Sequence, residues 1–542
     1  MTTGTRKWLA LAALALSGLV VGLDLTVLNL ALPTLATSLH ASTSGLQWFV
    51  DSYSLVFAAV LLPAGLLGDR YGRKRLLLAA LVLFGAASVA CAYAPSTGAL
   101  IAARAALGLG AAFIVPLSIA VIPVLFSENE RQRAITLVMS MMMIAYPLGP
   151  ILGGWLLTHF WWGSVFLINV PVIVVAVIAV ALLMPESRSD VRPRLDLVGV
   201  LVSSAGLTAL TYGLIEAGQN GWGDAAALLT MLVGGGVLAL FVLWERRLTT
   251  SGRRSLVDLS LFRSAGFTWG TVLATFVSFA TFGLLFTVPT YFQAIAGADA
   301  LGAGLRLLPM IGGLIAGAVI AAKLAPRAGA KVVVAVGFAL LAGGLLIGSR
   351  THVHSGFGFA ALWVTVMGAG LGFALPAAMD AALGALSPER SGAGSALIMA
   401  LRQVGGTFGV AILGSIMNAA YHGGLHLTDL PPAATEAVRD GVAAGVAVAH
   451  ELQSLTLLAM VRHAFVNAMD VMLLVCGLIA VAGIVLSLAF LPRRTTVAAG
   501  EREPASAALD GAEAGSATPA RPSPSIAAGG QEGAESAHAA GR

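Results

Sequence analysis

Residues 65–75 read Gly-Leu-Leu-Gly-Asp-Arg-Tyr-Gly-Arg-Lys-Arg and join two long apolar runs through a connection that leaves room only for an immediate reversal. Apolar runs of about 20 residues recur from Trp8 to Leu491, and at about 1.5 Å per helical residue each can cross a hydrocarbon core of about 30 Å. The turn therefore belongs at a membrane surface, and its four Lys and Arg residues assign that surface to the cytoplasm by the positive-inside bias. Glycines 65, 68 and 72 let backbones turn and approach closely, while Asp69 is placed to pair with Arg70 or Arg73. Two readings are open: a mobile clasp built from Gly65, Asp69, Arg70, Gly72, Arg73 and Lys74, or a solvated positive turn that only orients the chain.

Composition agrees with a polytopic membrane protein. The 542 residues are 58% hydrophobic and 11% charged, and the mean hydropathy is +0.90. Continuous apolar runs exclude a β-barrel, whose strands need alternating segments of about ten residues. A net charge of +5 does not point to nucleic acid, because the basic residues are spread over membrane-flanking loops. Both cysteines, Cys91 and Cys476, fall within apolar runs, so no disulfide framework is expected. The first apolar run contains Asp24 and is followed by many more, which marks it as an uncleaved first helix.

Hydropathy predicts an all-α fold of about fourteen transmembrane helices. They begin near Leu9, Leu46, Leu76, Thr97, Ala134, Ser164, Leu197, Ala225, Phe267, Leu301, Lys331, Gly356, Gly394 and Asn467. On that layout 25 of the 31 Lys and Arg residues fall on the side of the amino terminus, which predicts two cytoplasmic ends. A weaker copy of the opening turn, Lys-Leu-Ala-Pro-Arg-Ala-Gly-Ala-Lys at 323–331, lies between the second and third helices of a later six-helix set. The expected organisation is a six-helix half over 1–190, two inserted helices over 191–250 and a second six-helix half over 251–494. Pseudo-symmetric halves of this kind rock around a midplane site. Residues 420–463 form a long outer connection, either a hairpin over the outer mouth or a tethered surface loop. Residues 495–542, rich in Ala, Gly, Glu, Ser and Pro, are expected to be a disordered tail.

An ionisable group inside a membrane helix costs several kcal/mol and is a functional candidate by default. Asp24 lies about 15 Å from the outer end of the first helix, where a carboxyl group can hold a proton. Arg104 on the fourth helix lies about 9 Å from its outer end, level with the reach of Asp24, and as a permanent cation it can gate that carboxylate by pairing. On the fifth helix, Gly149 and Gly153 form a small-xxx-small face, Gly154 follows, and Pro150 weakens the helix. Tyr291 and Gln293 either face substrate or anchor at the interface. Asp380, Arg402 and Gln403 are candidate substrate-lining residues, with Asp380 and Arg402 able to pair across a helix interface. Asn29 and Asp51 are candidates too, Asp51 lying near an outer helix end. No catalytic constellation, P-loop or metal-ligand cluster is present in the sequence, so neither enzyme chemistry nor a bound cofactor is expected.

Together these strings resemble the major facilitator superfamily, and within it the fourteen-helix drug:proton antiporter family, over about residues 8–491. The resemblance is carried by Gly65 to Arg75, by Leu-Asp-Leu-Thr-Val-Leu-Asn-Leu-Ala-Leu-Pro at 23–33, and by Arg104 with Gly108. Gly149-Pro150 with Gly153-Gly154, Phe166 to Pro171 and Pro289 to Pro309 complete it. Ala145 and Leu107 depart from the family's usual glycine and polar residue. The resemblance implies export of small hydrophobic or amphipathic compounds, antibiotics among them, by a multi-pass plasma-membrane monomer driven by the proton gradient, with Asp24 and Arg104 coupling the proton. Export of one endogenous metabolite or siderophore, and a transporter-like sensor without flux, are the alternative readings.

Overall fold

The computed structural model describes residues 3–188, 196–251, 256–386, 388–427 and 430–492. The spanning helices are α1 (Thr3–Ser38), α2 (Thr43–Tyr71), α3 (Arg73–Ala92), α4 (Thr97–Ala120), α5 (Glu128–His159), α6 (Ser164–Leu183) and α7 (Leu197–Asn220). They continue with α8 (Ala225–Thr250), α9 (Ala265–Ile295), α10 (Ala300–Ala328), α11 (Ala330–Gly348), α12 (Phe357–Leu383), α13 (Pro388–Gly423) and α14 (Leu455–Phe490). Twelve of these are apolar and long enough to cross a membrane among the described residues, and α2, bent by 54° between Leu61 and Pro63, makes thirteen. The fourteenth is α5, 32 residues long, whose stretch from Ala134 to Leu157 carries no charge. Helices suit this solvent because each satisfies its own backbone hydrogen bonds where no water is available.

Polar residues at the helix starts finish that task. Ser42, Ser96, Asp196, Asp224, Ser264 and Ser454 each accept a hydrogen bond from the N–H three residues on. Ser454 starts α14 well before the position near Asn467 expected from hydropathy. The connection between α13 and α14 is correspondingly shorter, and it holds two short helices, Pro432–Asp440 and Val442–Glu451. The tail expected over 495–542 lies outside the described residues.

Two apolar cores divide the chain. One draws on α1–α6 and the other on α9–α14. A few side chains cross over: Leu30 belongs to the second core, and Phe286, Ala400 and Val410 to the first. Helix α7 lies where α2 and α13 meet, with Ser415 Oγ donating to Leu214 O at 2.7 Å and Asn418 Nδ2 to Gly218 O at 3.1 Å. Its partner α8 packs chiefly on α7 and exposes Leu229, Leu232, Val233, Leu240 and Leu243.

The internal repeat is visible in the backbone. Gly72 turns the chain from α2 to α3 at φ 109°, ψ 123°, and Gly329 separates α10 from α11 at φ 79°, ψ 155°. The two glycines hold matching places in the basic turn and its copy, and both adopt torsions that an L side chain resists. By contrast, a methyl group added at Gly65 would meet open space inside a helix. Gly72→Ala should therefore lower stability by about 1–3 kcal/mol, and Gly65→Ala should leave it unchanged or slightly raised, read from thermal unfolding in detergent.

Candidate functional site

Asp24 stands close to the middle of the span Arg6–Ser38. Arg104 Nη1 donates to its Oδ2 at 2.5 Å, and both side chains are 1% exposed. Arg104 is also held by α2, donating through Nε to Phe49 O at 2.9 Å and stacking 4.5 Å over the Tyr53 ring. The other Asp24 oxygen accepts from Asn169 Nδ2 on α6 at 3.4 Å, and the same amide reaches Ser88 Oγ on α3 at 3.3 Å. Five helices of the first half thus converge on one ion pair. Asn169, Tyr53 and Ser88 carried no role in the sequence reading. Their signal was a polar residue inside an apolar run, which spacing alone does not connect to Asp24.

The glycines of α5 bring this centre against the second half. Gly149 packs on Thr26, Gly153 on Val27, and Gly154 on the backbone of Ala300 and Leu301 at the start of α10. Thr26 Oγ1 donates to Ala145 O at 3.3 Å, and the carbonyl of Pro150 lies beside Gly304. Any one of these glycines enlarged would push α5 from α1 or α10. The helix itself runs unbroken from Glu128 to His159.

Further joins between the halves lie toward the face opposite the amino terminus. Gln293 Nε2 donates to Leu30 O at 2.9 Å, so Gln293 is a clasp between halves, while Tyr291 is buried in the second core and is not an interfacial anchor. Gln47 Nε2 on α2 donates to Val410 O at 3.2 Å and Ala411 O at 3.3 Å on α13. The two short helices roof this seam. Thr43 Oγ1 donates to Asp440 O at 3.0 Å and Tyr421 OH to Val438 O at 3.0 Å, while His422 Nε2 lies 2.9 Å from Arg439 O. Beneath them is an apolar cavity lined by Leu32, Phe286, Met417, Tyr421, Val442 and Phe465. The two cores are joined toward this far face.

The remaining candidates are dispersed. Asp51 is not at an interface with water: it is fully buried one helical turn from Gln47, and neither carboxyl oxygen has a hydrogen-bond partner. Asn29 Nδ2 bonds back to Leu25 O at 2.8 Å. Gln403 is buried with Nε2 unpartnered, on the α13 face that continues to Thr407, Val410 and Ala411. Arg402 donates to Ser278 Oγ at 3.1 Å and to Met379 Sδ at 3.6 Å, and Asp380 is exposed and forms no ion pair among the described residues. The expected Asp380–Arg402 pairing is absent because Asp380 faces outward from α12.

At the basic turn, Arg73 binds Asp69 Oδ1 at 2.7 Å through Nη2 and Ala120 O at 3.0 Å through Nη1. Lys74 Nζ donates to Ala181 O at 2.7 Å, and Arg75 lies 3.5 Å from Glu186. Arg70 is exposed and stacks 5.3 Å over Tyr71. Every one of these partners belongs to the first half, so the turn ties α2–α3 to α4 and α6.

Removing Arg104 leaves Asp24 as an uncompensated charge away from water. Arg104→Ala should destabilise the protein by about 3–5 kcal/mol, and Asp24→Asn combined with it should recover a measurable part, both read from thermal unfolding in detergent.

Comparisons with known proteins accord with this geometry. The model of the Major Facilitator Superfamily matches residues 14–410. The multidrug efflux pump LfrA of Mycolicibacterium smegmatis is 35% identical over 471 residues, covering 85% of this chain and 92% of that one. The tetracenomycin C resistance and export protein of Streptomyces glaucescens is 33% identical over 413 residues, 76% of each chain. Among solved structures, a bacterial homologue of the human lysosomal transporter Spinster, inward-facing and unoccupied, superposes with a TM-score of 0.64 at 17% identity, covering 90% of this chain and 98% of that one. The chain belongs to the Major Facilitator Superfamily.

Proposed function

We propose that this Major Facilitator Superfamily chain exports small hydrophobic or amphipathic compounds, antibiotics among them, in exchange for protons. Relatives named for drug efflux and antibiotic export, at 33–35% identity over most of the chain, support an efflux transporter. The single observation that carries proton coupling is the buried Asp24–Arg104 pair, one turn from the α1–α5 contact and two from the Gln293 clasp.

In this reading both termini are cytoplasmic, and the far-face closure makes the structure inward-facing. Residues 1–190 and 251–494 are the rocking halves of a monomer at the plasma membrane, and 191–250 is the inserted pair. A proton on Asp24 removes its charge, and Arg104 keeps only Phe49 O and the Tyr53 ring. Helix α1 is then released from α4 and free to shift against α5 and α9. When the proton leaves, Arg104 recaptures the carboxylate, and no bound cofactor takes part. Substrate meets the polar face of α13 around Gln403 between the halves, and Asp69 with Arg73 holds the cytoplasmic turn as the halves move.

In cells loaded with a fluorescent cationic dye, Asp24→Asn at wild-type abundance should reduce protonophore-sensitive efflux to the level of cells without the protein. Full efflux by that variant would overturn the coupling role. Asp69→Asn should slow export while cysteine-accessibility labelling of the termini still reports the wild-type topology. Flux in liposomes under an imposed pH gradient, run over cationic, neutral and anionic compounds, separates broad export from export of one compound, and absent flux would indicate a sensor.

A further inference from the structure

The inserted pair α7–α8 carries a groove that the transport cycle does not use. Its walls are Val198 and Val202 of α7 with Leu240, Leu243 and Trp244 of α8, and its rim at the face of the amino terminus is Arg246, Arg247 and Thr250. Leu240, Leu243 and Arg247 follow one another at helical spacing along one stripe of α8, so from rim to floor the groove descends about 10 Å into the bilayer. Trp244 is fixed as a wall, its Nε1 donating to Asp196 Oδ2 at 2.9 Å. The carboxylates beside it are turned inward: Asp196 caps α7 through Gly199 N at 3.0 Å, and Glu245 is fully buried and accepts from Val257 N at 2.9 Å. Arg246 and Arg247 are exposed and form no ion pair among the described residues. The sequence sets five more arginines, 188, 192, 194, 253 and 254, in the connections flanking the same helix ends.

A groove whose floor is apolar at hydrocarbon depth and whose rim is two unpaired guanidinium groups is complementary to a molecule with a fatty chain and an anionic head. We propose that it holds an anionic phospholipid of the leaflet on the side of the amino terminus. The phosphodiester sits between Arg246 and Arg247, whose planar forks match phosphate oxygens, and the upper acyl chain lies against Leu240, Leu243 and Trp244. Basic clusters just beyond a membrane helix attract anionic lipid in this way. The bound lipid fills the side of α8, a helix that otherwise leans chiefly on α7. This site does not depend on the transport reading, since none of its residues touches the Asp24 network or the seam between the halves.

The test is native mass spectrometry of the full chain, purified in mild detergent and titrated with phosphatidylglycerol or phosphatidylcholine. Phosphatidylglycerol should bind at about tenfold lower concentration than phosphatidylcholine. Arg246→Ala/Arg247→Ala should abolish that preference. Arg246→Lys/Arg247→Lys, which preserves charge and topology, should reduce it, while Arg263→Ala elsewhere on the same face should leave it intact. Equal binding of the two lipids would overturn the proposal, as would loss of preference in Arg263→Ala equal to that in the double variants. Glycerol 3-phosphate, the head without its chains, should not displace phosphatidylglycerol. Displacement would show a free-phosphate site in place of a lipid site.

Discussion

A carboxylate and a guanidinium near the middle of a bilayer cannot be left alone, and the arrangement of the first half follows from that. Each charge stranded without its partner costs several kcal/mol, so the pair draws groups from every helix within reach. Helix α4 supplies Arg104 and α1 supplies Asp24; α2 gives a carbonyl and an aromatic face, α6 an amide and α3 the hydroxyl that orients it. The residues following Asp24 on α1 then do different work. Thr26 and Val27 meet α5, and Leu30 meets the second half through Gln293. The ion pair therefore lies within two helical turns of the boundary between the two cores.

That boundary carries no ion pair among the described residues. Gln47, Gln293 and Thr43 reach across it or into its roof as neutral donors to backbone carbonyls. A neutral hydrogen bond contributes about 0.5–1.5 kcal/mol net, well below the cost of breaking a buried ion pair. Such bonds can be exchanged one for another as the surfaces slide. Glycines seat backbone against backbone both within the first half, as Gly108 does on Tyr53 and Gly110 on Ala80 and Phe84, and at the boundary, as Gly154 does on Ala300 and Leu301.

The fold was legible in the sequence because its determinants are local. An apolar run of the right length must be a helix, a basic turn must stay at the surface, and a glycine repeated in Arg-x-Gly-x-Lys marks a repeated reversal, as Gly72 and Gly329 do. The Asp24–Arg104 pairing was legible for a similar reason: two charges at matching depth have few other partners. Asp51 was not, because its depth along α2 looks interfacial until packing is seen to bury it fully. Asn169 was hidden for the opposite reason, since an amide in an apolar run has many conceivable partners and only packing selects Asp24 and Ser88. The start of α14 at Leu455 escaped hydropathy because Arg462 and His463 interrupt the apolar signal, although Leu457, Val461 and Ala464 around them are buried in the second core.

The repeat also shows where the symmetry has been given up. The basic turn of the first half contains Asp69, which Arg73 grips with two nitrogens, whereas the copy at 323–331 has no acid at all. Helix α9, which holds in the second half the place α1 holds in the first, contains no charged residue from Ala265 to Ile295. The acids of the basic turn and of α1 thus have no counterpart in the copy at 323–331 or in α9. In the proposed exchange a proton at Asp24 acts on the half whose helices are tied through charge, and the facing α9 meets that half through the neutral Gln293. On that proposal, motion between the unlike halves rests on one carboxyl group of α1 that has no charged counterpart in α9.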